Sequence, residues 1–223
     1  MNMEHLIIKR KQNYWWYYIL FLIGEPLMRL LMRTPITPNM ITLVNLLGVF
    51  PSICFSGVGK HFFALAILVQ FHMFIDTIDG NLARNKNMLS ERGKKLDFLA
   101  DTLFDTIGKI AIGIAIDTPM WLVVLAIAVQ QGYGAIATYY IVPRIRNTEN
   151  FKRTALKQFF WERGILFGMD TSMECLTISL MMLFPIRKYI FIACPALWLA
   201  DLCYRLYELK WVNRNSKVSV KQD

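Results

Sequence analysis

Charge is scarce in this chain. Of its 223 residues, 18% are Asp, Glu, Lys or Arg and 55% are hydrophobic, and the mean hydropathy is +0.37. A soluble domain carries about a quarter charged residues, so the composition leaves too little polar surface for a water-soluble globule. It also excludes disorder, collagen and coiled coil. Cysteine is sparse as well. Cys54, Cys175, Cys194 and Cys203 all lie in apolar runs, with no CxxC and no metal-ligand spacing, which excludes a small disulfide scaffold. No internal repeat or low-complexity segment is present, and no signal peptide is expected. Residues 1–13 are polar and basic, and the apolar stretch 14–24 is short, runs into Glu25 and Pro26, and lacks a small-residue cleavage site.

Apolar runs of about twenty residues are what the chain does have, and a bilayer core requires that length. Six are expected to span, roughly 39–58, 61–83, 96–116, 120–142, 164–185 and 188–209. Residues 14–33 read as an amphipathic helix lying in the interface, with Trp15, Trp16, Tyr17 and Tyr18 at headgroup level; the alternative is a poorly formed extra span. The expected fold is therefore all-α: a polytopic membrane protein with six transmembrane helices and an N-terminal interfacial amphipathic helix. Its parts are a cytoplasmic N-terminus and interfacial helix (1–38), a six-helix domain (39–209) and a basic cytoplasmic tail (210–223).

The formal net charge of +9 does not point to nucleic acid, because the basic residues sit between apolar runs. Lys9, Arg10, Lys11, Arg29 and Arg33 precede the first span. Arg84, Lys86, Arg92, Lys94 and Lys95 follow the second, and Arg144, Arg146, Lys152, Arg153, Lys157 and Arg163 follow the fourth. Arg205, Lys210, Arg214, Lys217 and Lys221 close the chain, whereas the opposite face has only Lys60, Arg187 and Lys188. That asymmetry places both termini and both long loops in the cytoplasm.

Acidic groups then appear where they are costly. The second span ends on Asp76 and Asp79, and the third begins with Asp97 and Asp101. An Asp at the centre of a spanning helix costs about 2.5–3.5 kcal/mol on insertion scales, and less near an end. Asp76/Asp79 are i,i+3 and Asp97/Asp101 are i,i+4, so each pair projects from one helix face. A short hairpin, 85–92, joins the two helices and brings all four carboxylates to similar depth. Two unit charges about 4 Å apart repel by about 4 kcal/mol at an effective dielectric near 20. Either some carboxylates are protonated or cations are bound. All-oxygen ligands select hard divalent ions, Mg²⁺ or Mn²⁺, and one or two such ions bridging a phosphate is their usual use. N-caps and salt bridges to Arg84, Lys94 and Lys95 account for one or two aspartates, not for four at these spacings. Gly80 and Ala83 leave room for a ligand to approach the backbone, and Arg84 can hold a phosphate bidentately. His72, one turn before Asp76, reads as a polar packing residue.

The run Asp76-x₂-Asp79-Gly80-x₂-Ala83-Arg84-x₈-Gly93-x₃-Asp97-x₃-Asp101 resembles the complete signature of the CDP-alcohol phosphotransferases (CDP-alcohol phosphatidyltransferases), in their bacterial six-span form. Pro38-Asn39-x₂-Thr42 resembles the segment that the family keeps on the nucleotide side. The resemblance implies an enzyme of phospholipid biosynthesis in which a CDP-linked donor, usually CDP-diacylglycerol, gives its phosphatidyl group to a polar alcohol and releases CMP. It implies two Mg²⁺ or Mn²⁺ ions, one on Asp76, Asp79 and Asp97 and the other on Asp76, Asp97 and Asp101, with Asp101 also the general base. Asn39, Thr42, Asp79, Gly80, Ala83, Arg84, Ser90 and Gly93 would line the CDP-donor site. A homodimer in the bacterial inner (plasma) membrane, with its active site on the cytoplasmic side, is the matching expectation.

The acceptor is left open. Asp105 extends the Asp97/Asp101 stripe, with Lys109 at i+4, and this pair is read as lining the cavity, the alternative being a plain buried salt bridge. Asp170 and Glu174 share a face on the fifth span, as do Asp201 and Arg205 on the sixth, the latter either functional or an internal salt bridge. Asp105, Lys109, Asp170, Glu174 and Arg205 are thus the acceptor-pocket candidates. The Asp170/Glu174 pair is net acidic, which favours an uncharged or amine-bearing acceptor, whereas the loop with Arg144, Arg146, Lys152, Arg153 and Lys157 either holds a phosphorylated one or anchors to anionic lipid. Two rival functions use the same carboxylates. One is a CDP-choline or CDP-ethanolamine phosphotransferase with a lipid hydroxyl acceptor; the other is an ion-coupled transporter, which has no need of the small residues. An interaction scaffold with a decayed site fits poorly with a motif that has no missing member.

Overall fold

The computed structural model describes residues 19–146, 154–163 and 168–219, and every element among them is helical. Trp15, Trp16, Tyr17, Tyr18, Lys152, Arg153 and the first residues of the expected fifth span lie outside the described residues. A π-helical turn, Leu20–Gly24, leads into α1, Glu25–Met32. Pro26 suits the first turn of that helix, and Glu25 pairs with Arg29 at 2.9 Å. Met28 and Leu31 of α1 are buried against Ile78 and Leu82, so this short helix braces the segment that carries Asp76 and Asp79.

Among the described residues, four helices are long and apolar enough to cross a membrane: α2 (Pro38–Val58), α3 (Phe62–Asn85), α5 (Met120–Arg146) and the stretch Pro185–Trp211. That stretch opens with a 3₁₀ turn, Pro185–Tyr189, and continues as α8, Ile190–Ser219. Six such segments were expected, and two differ for physical reasons. Helix α4 runs unbroken over 91–115, but its first half carries Glu91, Arg92, Lys94, Lys95, Asp97 and Asp101. Helix α7, Thr171–Leu183, is apolar but has only 13 residues. The expected fifth span began several residues earlier, where Asp170 instead caps the helix start. The tail boundary expected at 209/210 falls inside α8, which continues without a break. A short helix, α6 (Ala155–Glu162), lies between α5 and α7.

Helix α3 is central, packed against α7 and both halves of α2, while α8 packs on α5. The main core gathers Ile53, Leu65, Val69, Phe104, Ile112, Val123, Ile178 and Met182 from five helices. Gly57 permits the closest approach: a Cβ there would lie 2.6 Å from the Ala111 carbonyl oxygen, so the second half of α2 lies directly on the second half of α4. At that end of the helices Lys60 and Asp117 pair at 2.7 Å, joining the α2–α3 and α4–α5 turns. At the other end Lys86 donates to the Thr34 and Ile36 carbonyls at 2.8 and 2.7 Å. The linker ahead of α2 is thereby tied to the end of α3, where the aspartates lie.

Candidate active site

Local sequence sets each wall of the site. Thr37 caps α2, accepting from the Met40 amide, and Pro38 fills the first turn. Ser90 caps α4, its extended backbone letting the hydroxyl accept from the Gly93 amide at 3.0 Å. The hairpin between α3 and α4 turns at Asn87, whose φ of 54° is tolerated by that residue type. Two helix starts and one helix end therefore converge. Gly93 allows the contact: a Cβ there would lie 2.9 Å from Asn39 Oδ1 and 3.1 Å from Ser90 Oγ.

Asp76, Asp79 and Asp97 come together, each offering a carboxylate oxygen within 4.8 Å of the others. Asp79 is buried; the Thr42 hydroxyl donates to its Oδ2 at 2.6 Å, while its Oδ1 is buried with no hydrogen-bond partner. A buried, unsatisfied carboxylate oxygen is costly in protein alone. Together with an all-oxygen donor set, this fits a hard divalent cation. Asp101 stands outside the three-carboxylate group but lines the same cavity as Asp76 and Asp97.

Two cavities meet here. The first, about 210 Å³, is a groove between the starts of α2 and α4 and the end of α3. Asn39, Thr42, Asp79, Gly80, Ala83, Arg84, Ser90 and Gly93 all line it, so every residue expected around the CDP part faces one space. The second, about 310 Å³, is lined by Asp76, Asp97, Asp101, Asp105, Asp170 and their neighbours. Gly80, Arg84 and Asp97 border both. The nearest atom to a Cβ at Gly80 would be Arg84 Nη2 at 3.5 Å, an ordinary contact. The chain's own packing therefore does not demand glycine at that border, and the room it leaves opens onto the cavities.

The acceptor candidates are divided. Asp105 and Asp170 line the larger cavity, whereas Lys109, Glu174 and Arg205 do not. Lys109, 2% exposed, sits behind Asp105 and pairs with it at 3.3 Å and with Glu174 at 3.0 Å. Its ammonium also donates to Gln130 Oε1, whose amide donates to Asp105 at 3.0 Å. Asp170 and Glu174 thus face different surroundings despite their shared spacing. Arg205 pairs with Asp201 at 2.6 Å, and the Tyr133 hydroxyl donates to the same carboxylate oxygen, which makes Asp201–Arg205 an internal salt bridge. Lys157 of α6 pairs with Glu208 at 3.3 Å, and burial lowers its ammonium below the ordinary lysine value although Glu208 opposes the shift. Arg144 is exposed and stacks on the Tyr140 ring. His72 packs as expected, Nδ1 against Asn45 Oδ1 at 2.9 Å and ring on Phe104, and also reaches the cavity wall.

Sequence reasoning missed Thr171 and Ser172 on the cavity wall and Gln130 in the buried network. Gln130 carried a signal, as a lone amide in an apolar run. Thr171 and Ser172 carried none until the start of α7 was known.

A family model described as CDP-alcohol phosphatidyltransferase matches residues 35–201, well over half of the chain and including every aspartate of the site. No curated protein matches the chain.

Proposed function

Since the chain belongs to the CDP-alcohol phosphatidyltransferase family, and is thereby a transferase of phosphorus-containing groups acting in phospholipid synthesis, we propose that it moves a phosphatidyl group from CDP-diacylglycerol to a polar alcohol and releases CMP in a divalent-metal-dependent reaction. One observation carries this reading: three carboxylates from two helices share a 4.8 Å cluster at the border between a groove lined by Asn39, Thr42, Ala83 and Ser90 and a second cavity.

Asp76, Asp79, Asp97 and Asp101 would hold the metal, as two ions by family likeness. A divalent ion bound there supplies positive charge to the pyrophosphate oxygens. Arg84, on the border of both cavities, orients a phosphate by its planar fork. Gly80 and Ala83 admit the donor to the backbone, Gly93 lets Asn39 close on the start of α4, and Asn39, Thr42 and Ser90 supply polar edges for the nucleotide. Asp101 accepts the proton of the acceptor hydroxyl as its oxygen attacks the phosphatidyl phosphorus; the phosphorus–oxygen bond to CMP breaks and CMP leaves. Phosphoryl transfer rests mainly on such positioning and charge neutralisation.

The same proposal has α4 and α7 cross the bilayer with the four long apolar helices, in a homodimer. The aspartate end would face the cytoplasm. Arg84, Lys86, Arg92, Lys94, Lys95, Arg144 and Arg146 lie toward that end, against Lys60, Arg187 and Lys188 at the other. A site there leaves acyl chains in lipid and cytidine in water.

The test is CMP release by purified protein given CDP-diacylglycerol and a panel of alcohols. Release is expected with Mg²⁺ or Mn²⁺ and lost with a chelator. Release that persists at full rate without divalent ions contradicts the metal, and no release with any acceptor contradicts the activity.

A further inference from the structure

Resting on that reading and deepening it, we propose that the cavity beyond the metal-binding aspartates receives the ammonium group of a small amino alcohol and excludes phosphorylated alcohols. Beyond the metal-binding aspartates, the residues that line the larger cavity and not the donor groove include His72, Phe104, Asp105, Asp170, Thr171 and Ser172. Two of these six are carboxylates and none is Lys or Arg. Among the described lining residues the one guanidinium or ammonium is Arg84, which also borders the donor groove.

Both carboxylates are fixed through a single oxygen. At Asp105 the contacts from Lys109 and Gln130 both fall on Oδ1. At Asp170 the Ser172 hydroxyl and the Met173 amide both donate to Oδ1, at 2.7 and 2.9 Å. In each case these contacts orient the carboxylate through that one oxygen, and the residue lines the cavity. The charge behind this wall does not cancel it, because Lys109 is shared between Asp105 and Glu174. One ammonium faces two carboxylates there, and Asp170 adds a third on the cavity wall.

A phosphate group needs the opposite lining. Among the described residues, three basic side chains that could have supplied one are committed elsewhere: Arg205 to Asp201, Lys157 to Glu208 and Arg144 to the exposed Tyr140 ring. None of them lines the cavity. An ammonium, by contrast, finds two anionic acceptors and the hydroxyl-bearing Thr171 and Ser172. The same ammonium can arrive on a free amino alcohol or as the headgroup of a CDP-linked amino alcohol, and the experiment separates these sources.

The purified protein is given CDP-diacylglycerol with ethanolamine, glycerol, glycerol phosphate or inositol phosphate, and in a second arm CDP-ethanolamine with diacylglycerol. The proposal expects ethanolamine chemistry in one arm to exceed the phosphorylated and neutral acceptors by at least about tenfold in kcat/KM, the size of one charge-assisted hydrogen bond. The productive arm identifies the ammonium's source. Preference for a phosphorylated or neutral alcohol overturns the inference while the proposed function stands. CMP release in neither arm overturns both. Asp170→Asn retains the helix cap, since Asn caps as well as Asp, and is expected to raise the KM for the ammonium-bearing substrate about tenfold while kcat falls less. Asp105→Asn is the second such variant. Unchanged KM in both overturns the assignment of these carboxylates.

Discussion

Asp101→Asn is expected to lower CMP release by about 10²–10⁴-fold, the usual contribution of a positioned general base, in a protein that still folds and binds CDP. Asn has the shape of Asp and cannot take a proton. Asp101 lies one turn beyond Asp97 on α4, is exposed to the cavity, and is outside the three-carboxylate cluster. The Thr42–Asp79 bond and the cap at Ser90 that shape the donor groove do not involve it. The measurement is turnover beside CDP affinity on one preparation. Near-normal turnover removes Asp101 as the base; loss of CDP affinity equal to the loss of turnover makes it a donor-site residue instead.

Lys109→Met is expected to have the largest effect on stability. Its ammonium, 2% exposed, holds Asp105, Glu174 and Gln130 in one buried network. Removing one partner of a buried ion pair costs about 3–5 kcal/mol, because the remaining charge is left uncompensated. Two carboxylates would be stranded here, one of them Glu174, whose Oε2 is already buried without a hydrogen-bond partner. Thermal unfolding in detergent should show a drop on the order of ten degrees. The double variant Lys109→Met/Glu174→Met should regain most of it, since a buried pair replaced by apolar residues is often neutral. A single variant as stable as the parent would show that the network carries no charge.

The aspartate site was legible because its geometry is local. Spacings of three and four residues fix each pair on one helix face, and a hairpin too short to do otherwise brings α3 and α4 together antiparallel. Asn39 and Thr42 were legible by resemblance rather than by spacing, since no local rule brings the start of α2 to the hairpin. What stayed hidden depended on where helices begin or deviate. Asp170 and Glu174 share a face only if the helix includes both; it starts at Thr171, so Asp170 turns back as a cap and reaches the cavity while Glu174 goes to Lys109. The stripe through Asp105 meets a π-helical turn at Phe104–Gly108, which no count of residues foretells. Lys86 reads in sequence as one more cytoplasmic positive charge, whereas its ammonium holds the linker ahead of α2. Composition marked the apolar runs, but α4 mixes a charged half with a buried one, and a hydropathy pattern alone does not say whether such a helix crosses a membrane.

In the proposed reaction, carboxylates from α3 and α4 share bound divalent ions. Titration of purified, metal-free protein with Mn²⁺, followed by electron paramagnetic resonance, tests it directly. Saturable binding is expected for the parent chain, and its loss in an Asp79→Asn/Asp97→Asn variant that keeps its helical content. Equal binding in both proteins, or none in the parent, would contradict it.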